Sequence, residues 1–133
     1  MIKIYDTLQA KKVEFKPLVS NEVGIYVCGP TVYDSAHLGH GRSAVSFDVI
    51  RRYFLYRGFK VKYVSNYTDI DDKMINRAKV DGISVEDLSK KVITIYEKDY
   101  AALGVMVPDS QPRATDHIEE MIELIGRLEK LGF

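Results

Sequence analysis

The residues best suited to chemistry in this chain are two histidines three positions apart, His37 and His40, with Leu38 and Gly39 between them. On the first turn of a helix, side chains at this spacing project from nearly the same face and can meet one ligand. Helix N-termini attract anions, because their first backbone N–H groups lack partners and the helix dipole adds positive charge. Two imidazoles there suit the charge that builds on a phosphoryl group under nucleophilic attack. The pattern therefore predicts a phosphate site and favours nucleotidyl transfer.

The spacing alone leaves other interpretations open, because two such histidines are equally consistent with metal ligands or with exposed polar residues. Two neighbouring features favour a nucleotide site. Gly39 leaves room for a nucleotide to lie against the backbone, where a side chain would block it. The pair also follows a strand-like run at 24–27 and a Cys-Gly-Pro-Thr turn. It precedes an amphipathic run whose apolar residues are Val45, Phe47, Val49, Ile50, Tyr53 and Phe54.

The N-terminal residues predict a covering hairpin. Apolar and polar residues alternate from Met1 to Thr7 and from Lys12 to Lys16, on either side of a turn at 8–11.

A length of 133 residues with 46% apolar content suits one domain, 1–133. No internal repeat, low-complexity segment or long linker divides it.

The next segments predict a βαβ unit and hence an α/β fold. Gly24 to Cys28 is nearly continuous in apolar residues, which is typical of a parallel strand covered on both faces. A helix is predicted from about 39–41 to Tyr56, with Gly58 at the left-handed position that follows a helix. Lys60 to Ser65 then forms a second strand. Such units are right-handed, and nucleotides bind at the carboxyl ends of their strands.

A polar cluster, Asn66 to Lys73, follows the second strand at that same edge. Thr68 and Asp69 are placed at the strand end, where we expect them to contact a ligand. Asp71 and Asp72 either contact the ligand as well or form the N-cap and first turn of the following helix, and these two interpretations are equally well supported. Both interpretations stay open at this point.

Helices are predicted for most of the remaining chain. The first runs from Asp72 to Val80, and the second, capped by Ser84, runs to about Leu103. Pro108 and Pro112 bracket a loop, after which Thr115 caps a last helix. The apolar stripe of the second helix is Val85, Leu88, Val92, Ile95 and Tyr96, and that of the last is Ile118, Met121, Ile122, Ile125 and Leu128.

Composition excludes several classes of protein. No run of 18 apolar residues and no basic-then-apolar leader is present, so we expect no membrane association and a cytoplasmic location. The 19 basic and 19 acidic residues cancel, which argues against a strongly basic nucleic-acid-binding module. One cysteine excludes an internal disulfide framework. By itself Cys28 is most simply a small apolar strand residue.

Three motifs together resemble cysteinyl-tRNA synthetases, a family of class I aminoacyl-tRNA synthetases. They are Tyr26-Val-Cys-Gly-Pro-Thr-Val-Tyr-Asp followed by His37-Leu-Gly-His-Gly-Arg, then Asn66-Tyr-Thr-Asp-Ile-Asp-Asp-Lys, then Pro112-Arg-Ala-Thr-Asp-His-Ile. Leu38 stands where the family's His-Ile-Gly-His signature has isoleucine. The resemblance covers essentially the whole chain and implies the first half of a Rossmann-like nucleotide-binding fold.

The resemblance also implies roles for individual residues. It makes His37 and His40 catalytic, as stabilisers of the transition-state phosphate. It implies ATP binding by Pro30, Thr31, His37, Gly39 and His40, and amino-acid binding by Gly29, Thr31 and Thr68. The implied substrates are cysteine, ATP with Mg²⁺, and the tRNA for cysteine. Arg113, Thr115 and His117 are expected to shape the edge of the active site.

The resemblance further implies a zinc ion with Cys28 as its first ligand. Zinc bonds a thiolate in preference to a hydroxyl, so an open coordination position selects cysteine over serine. The family's other ligands, a cysteine, a histidine and a glutamate, come from later in its sequence, as does its Lys-Met-Ser-Lys-Ser loop. We therefore expect weak zinc binding and no activity from these 133 residues alone.

The charges between Arg42 and Lys62 are mostly cationic, and the tail from Asp116 onward leans acidic. Solvated helix faces explain most of them, with contact to a tRNA acceptor stem as the alternative for some. The cations are Arg42, Arg51, Arg52, Arg57, Lys60 and Lys62.

Three other functions remain open. A ligase that joins cysteine to an amino sugar shares this opening. Small nucleotidyltransferases share a His-x-Gly-His signature, but nothing in their chemistry explains Cys28 or the 66–73 cluster. A segment that binds a nucleotide or a partner without catalysis is the third.

Because a half fold leaves an unpaired sheet edge and an uncovered apolar face, we also expect self-association.

Overall fold

The computed structural model describes residues 1–133 and begins with the predicted hairpin. Strand β1 (Lys3–Asp6) pairs antiparallel with strand β2 (Lys11–Glu14). The residues between them form the turn, where Ala10 has a positive φ of 52°. The hairpin forms its own two-stranded sheet.

The βαβ unit follows and holds the histidine pair. Strand β3 (Glu22–Val27) leads through a loop to helix α1 (Leu38–Tyr56), and strand β4 (Lys60–Ser65) then pairs parallel with β3. The register runs from Glu22 opposite Lys60 to Val27 opposite Ser65, so both strands end at the same edge. Gly58 has a φ of 86°, a left-handed conformation that only glycine adopts without strain. The predicted α/β fold is confirmed.

A third segment extends the sheet at β4, where the sequence predicted only a loop between Pro108 and Pro112. Parallel bridges join Val64 to Ser110 and Tyr67 to Arg113. The Tyr67 N–H donates to the Pro112 carbonyl at 2.9 Å. Proline lacks an N–H but keeps its carbonyl, so it is tolerated in a ragged edge segment of this kind.

Three helices and a short 3₁₀ turn complete the chain. Helix α2 (Asp72–Asp81) and helix α3 (Val85–Ala102) precede the 3₁₀ turn (Ala114–His117) and helix α4 (Ile118–Lys130). Asp71 and Ser84 cap α2 and α3, accepting from the N–H groups of Lys73 and Asp87. The predicted Thr115 cap is wrong, because the 3₁₀ turn lies before α4 and the N-cap position of α4 is His117.

The core is small and lies between α2, α3 and the carboxyl ends of the strands. Only 15 of 133 residues are buried, so most apolar faces have no cover. The stripe predicted for α3 is right at Leu88, Val92 and Tyr96, but Ile93 is buried and Ile95 only half-buried. The core cluster contains Val32, Tyr67, Met74, Ala78, Leu88, Val92, Ile93 and Tyr96.

Two helices carry apolar faces that nothing in the chain covers. In α1 the buried residues are Asp48, Arg51 and Phe54, so of the apolar residues in this amphipathic run only Phe54 is buried. Helix α4 has no buried residue, although its apolar residues share one face as predicted. Strand β3 buries only Val23, so it is not covered on both faces as we expected. None of the helices has both the length and the apolar character needed to cross a bilayer.

These uncovered faces predict self-association, because burying apolar surface is favourable by about 25 cal/mol per Å². Light scattering after size exclusion should show species larger than a monomer. Ile122→Lys, on the exposed face of α4, should shift the distribution toward monomer, whereas Leu8→Lys, in the exposed hairpin turn, should not. A monomer that is stable at every salt concentration would contradict the expectation.

Candidate active site

The two histidines close the N-terminus of α1 by accepting hydrogen bonds from its backbone. His37 is the N-cap residue, and its Nδ1 accepts from the Gly39 N–H at 3.1 Å. The Nδ1 of His40 accepts in turn from the His37 N–H at 3.2 Å. This is the reciprocal arrangement of a capping box, with imidazoles in place of the usual hydroxyl and carboxylate. The rings stack with centroids 3.8 Å apart and an interplanar angle of 26°.

The same hydrogen bonds assign the tautomer of both rings. A ring nitrogen that accepts from an N–H cannot itself carry a proton, so in the neutral imidazole the proton lies on Nε2. Neither Nε2 has a partner within the chain. The start of α1 therefore carries two adjacent Nε2–H donors that are available to an anion.

The capping arrangement corrects one expectation about this site. Free backbone N–H groups were expected to contribute to the phosphate site, but the Gly39 N–H is bound by the His37 ring. The N–H groups of His40 and Gly41 donate to the His37 carbonyl at 2.9 and 3.2 Å. An anion at this end of α1 would therefore meet imidazole N–H groups in place of most of the first-turn amides.

The surroundings of His40 favour its neutral form. Burial lowers its pKa, and the neighbouring His37 lowers it further. The hydroxyl of Tyr96, on α3, lies 3.1 Å from the His40 Nδ1. His40 is half-buried while His37 is exposed.

Position 39 requires glycine because the His37 ring leaves no room for a side chain. A Cβ at Gly39 would lie 2.8 Å from Cε1 of the His37 ring and 3.0 Å from its Nδ1. A side chain there would displace His37 from its capping position. Any nucleotide contact made by Gly39 is additional to this packing role.

The loop after β3 is fixed against the end of β4 at Gly29. The Gly29 N–H donates to the Asn66 side-chain oxygen at 2.9 Å, and the Tyr26 hydroxyl donates to the same oxygen at 3.0 Å. A Cβ at Gly29 would lie 1.6 Å from the Asn66 carbonyl oxygen, a distance that no real contact reaches. Gly29 is therefore needed for the close approach of the two strand ends.

Thr31 and Thr68 are neighbours, as a shared ligand would require. They form a parallel bridge in which the Thr68 N–H donates to the Pro30 carbonyl and the Val32 N–H donates to the Thr68 carbonyl, each at 3.1 Å. The Asn66 amide donates to the Thr68 hydroxyl at 3.4 Å. The polar residues after both strands therefore meet at one edge, as predicted.

A cavity of about 480 Å³ opens at this edge between β3, α1 and α3. Of the residues predicted for the site, it brings together Cys28, Gly29, Pro30, Thr31 and His40. His37, Gly39 and Thr68 do not line it. The cavity and the exposed His37 ring thus form two adjoining parts of one candidate site.

The predicted zinc ligand has no partner ligands in this chain. Cys28 is exposed and unpaired, and its Sγ lies 3.8 Å from the Gly29 carbonyl oxygen. No three histidine, cysteine, aspartate or glutamate side chains lie together in a way that could hold a metal ion. A zinc site needs about four ligands, so the residues of this chain do not form one.

Two expectations about the 66–73 cluster are decided by contacts. Asp69 was expected to meet a ligand, but it is buried and accepts from the N–H and hydroxyl of Thr115. Its contacts fix the 3₁₀ turn to the end of the sheet. For Asp71 the capping interpretation is right, since its carboxylate accepts from the Lys73 N–H at 2.7 Å. Asp72 lies in the first turn of α2.

The residues expected at the edge of the site lie outside the cavity. His117 is exposed, with its Nδ1 3.7 Å from the Glu120 carboxylate. Thr115 binds Asp69, and Arg113 pairs with Tyr67 in the sheet. The contacts of Thr115 and Arg113 attach this part of the chain to the end of the sheet.

An ionic network around the buried Asp48 and Arg51, which line the cavity, was missed by the sequence analysis. Arg51 was counted among the solvated cations, but it is 5% exposed. It donates to the Val107 carbonyl at 2.7 Å and pairs with Asp109 at 3.2 Å. The Tyr63 N–H donates to Asp109 and lowers the pKa of that carboxyl, and Arg51 acts in the same direction.

Asp48 completes this network. Its carboxylate accepts from the Met106 N–H at 3.0 Å and from Arg52 at 2.6 Å. The network ties α1 to the segment that leads into the sheet, so the cations at 51 and 52 are structural. The sequence did contain a signal for this network. Asp48 and Arg52 are four residues apart, and Arg51 shares a helical face with Asp48, so ion pairing along α1 could have been predicted.

Comparison with known proteins identifies the family of this chain. The family model described as "tRNA synthetases class I (C) catalytic domain" matches residues 14–133. Among curated proteins, a cysteine–tRNA ligase from Klebsiella pneumoniae is 54% identical over 128 residues, and one from Erwinia tasmaniensis is 52% identical over 128 residues. Each alignment covers 96% of this chain and 28% of the relative.

A third relative gives the same result. A cysteine–tRNA ligase from Pyrococcus furiosus is 51% identical over 133 residues, which is 100% of this chain and 28% of the relative. The chain therefore spans less than a third of the length of the curated relatives it matches.

The Gly29 contact predicts a large effect of a single methyl group. Gly29→Ala should lower the free energy of unfolding by roughly 2 kcal/mol or more, because the new Cβ overlaps the backbone of Asn66. Gly24→Ala, in β3, is the matched control, since a Cβ there has nothing within 4 Å. Urea denaturation at low protein concentration measures both. Equal midpoints for the two variants would show that the strand ends are not packed as described.

Proposed function

The chain belongs to the family of class I cysteinyl-tRNA synthetase catalytic domains, and from this membership we propose that it is the ATP-binding front part of a cysteine–tRNA ligase. The proposed reaction begins when the cysteine carboxylate attacks the α-phosphate of ATP. A bond forms between carboxylate oxygen and phosphorus, and pyrophosphate leaves. The cysteinyl group then passes from the adenylate to the terminal ribose of its tRNA, releasing AMP.

The observation that carries the proposal is the pair of stacked imidazoles at the start of α1. Each has its Nδ1 bound to a backbone N–H, so each directs an Nε2–H donor away from the helix. During attack, negative charge grows on the oxygens of the α-phosphate, and fixed N–H donors stabilise that charge more than they stabilise the ground state. His37 and His40 are thus the proposed catalytic residues, with ATP as their ligand.

The proposed substrate contacts use the residues around the pair. Pro30 and Thr31 line the cavity beside His40, where ATP is proposed to lie. Gly39 would face the adenine and ribose. Gly29, Thr31 and Thr68 are proposed to bind cysteine, which is supported by the bridge between the two threonines.

Cys28 is proposed as the one thiolate that this chain offers to zinc. It is exposed at the end of β3 and lines the cavity. One thiolate alone holds zinc weakly, so we derive no step of the reaction through the metal. The proposed use of tRNA and ATP also implies a cytoplasmic location.

Calorimetric titration with ATP and Mg²⁺ tests the nucleotide site in this chain. His40→Ala should weaken ATP binding by about 10-fold, the low end of the effect of losing one hydrogen bond to a charged group, because the donor is proposed to act more strongly on the transition state. His117→Ala is the matched control, because this exposed histidine lies outside the cavity. Circular dichroism should show that both variants fold. Equal ATP affinity in the two variants, or no binding by the wild type, would contradict the proposal.

Pyrophosphate exchange tests the chemistry on the same samples. With zinc and cysteine present, we expect the chain to bind ATP without exchanging labelled pyrophosphate into it, because it lacks most of a zinc site. Serine replaces cysteine as the control. Exchange that depends on cysteine would show that this part of the enzyme activates its amino acid unaided, which would overturn the expectation of inactivity. In a longer protein that contains this chain, His40→Ala should depress exchange far more than cysteine binding.

A further inference from the structure

We propose that Tyr96 is a positioning residue for His40: its hydroxyl acts together with the His37 N–H to hold the His40 imidazole in the Nε2–H tautomer. This inference rests on the proposed role of His40 in binding phosphate. Tyr96 lies on α3 and is 1% exposed. Its hydroxyl is 3.1 Å from the His40 Nδ1, and the ring centroids are 5.4 Å apart at an angle of 65°.

The direction of this hydrogen bond follows from the other partner of the same nitrogen. The His40 Nδ1 already accepts from the His37 N–H at 3.2 Å, so it cannot carry a proton. The Tyr96 hydroxyl must therefore donate to it. Burial raises the pKa of Tyr96 to about 12, so the hydroxyl keeps its proton at any physiological pH. Two donors from different elements thus meet one ring nitrogen.

Both donors oppose protonation of that nitrogen. An imidazolium would place an Nδ1–H against the His37 N–H and would force the Tyr96 hydroxyl to turn from donor to acceptor. The titratable or charged groups around the ring are His37, which stacks on it, Tyr96, and the side chains that line the same cavity. Those lining side chains are Cys28, Asp48, Arg51, Tyr63, Tyr67, Glu97 and Tyr100.

A packing role alone does not account for the tyrosine. Tyr96 belongs to the apolar core cluster and stacks edge-on against Tyr100, with centroids 5.6 Å apart. A phenylalanine would serve that packing equally well. What distinguishes Tyr96 is a buried hydroxyl that would lack a partner without His40, and an unpaired buried hydroxyl is costly. The hydroxyl links the core of the domain to the histidine pair.

The test compares the ring nitrogens of His40 by NMR in the wild type, Tyr96→Phe and Tyr100→Phe. In the wild type, Nδ1 should be unprotonated and Nε2 protonated above the pKa of the ring. In Tyr96→Phe, the ratio of the Nε2–H to the Nδ1–H tautomer should fall by roughly fivefold, the factor typical for losing one neutral hydrogen bond. The pKa of His40 should also rise. Tyr100→Phe removes a neighbouring hydroxyl that does not contact His40, and should leave both quantities unchanged.

Three results of this comparison would each overturn the inference. They are a wild-type His40 that is protonated on Nδ1, a Tyr96→Phe spectrum identical to the wild type, or an equal change in Tyr100→Phe. Backbone amide spectra show whether each variant is folded. If Tyr96→Phe does not fold, the NMR spectrum of the wild type still tests the inference. The Tyr96 hydroxyl proton should exchange slowly with water and should correlate with the His40 Nδ1. A rapidly exchanging proton would overturn the inference.

ATP titration of the same samples separates this inference from the proposed function. If the wild type binds no ATP but the ring nitrogens behave as described, the proposed function fails and the role of Tyr96 is supported. If ATP binds and Tyr96→Phe leaves the tautomer unchanged, the role of Tyr96 fails alone. Weaker ATP binding in Tyr96→Phe together with the altered tautomer supports both.

Discussion

The first turn of α1 needs hydrogen-bond acceptors, and the candidate site depends on the fact that imidazoles supply them. Helix N-caps are usually small polar side chains, each contributing about 1 kcal/mol. Here the Gly39 and His37 N–H groups bind the Nδ1 atoms of His37 and His40. Folding of the helix therefore sets the orientation of both rings and favours the Nε2–H tautomer in each. The site is organised before any ligand binds, which is what electrostatic stabilisation of a transition state requires.

The parallel strands bring the other parts of the site to the same place. Strands β3 and β4 end in register, and Gly29 allows their following loops to approach closely. Thr31 and Thr68 are paired as a consequence. On the opposite side of the cavity, the buried Arg51 pairs with the exposed Asp109 and holds the segment that forms the third parallel edge. Burying a guanidinium is costly unless it is paired, and the Val107 carbonyl and the Asp109 carboxylate pair with Arg51 here, although its Nε has no partner.

Local sequence patterns predicted most of the helices and strands. The features that these patterns missed depend on contacts between residues far apart in the chain. Gly58 and Ser84 mark helix ends in the sequence because their conformations are local, and each lies where it was predicted. The burial of Arg51 and the exposure of Val49 could not be predicted, because both depend on which elements pack on α1. The same holds for Asp69, whose partner Thr115 is 46 residues away. The histidine spacing predicted a shared site, but the reciprocal caps and the Tyr96 hydroxyl depend on backbone geometry and on α3.

The central claim is that the two imidazoles present their Nε2–H groups to a phosphate. A crystal structure of the chain with a non-hydrolysable cysteinyl-adenylate analogue tests it most directly. The account predicts phosphate oxygens about 3 Å from the Nε2 atoms of His37 and His40, with both Nδ1 atoms still bound to the backbone. A phosphate bound elsewhere, or rings turned so that Nδ1 faces the ligand, would contradict it.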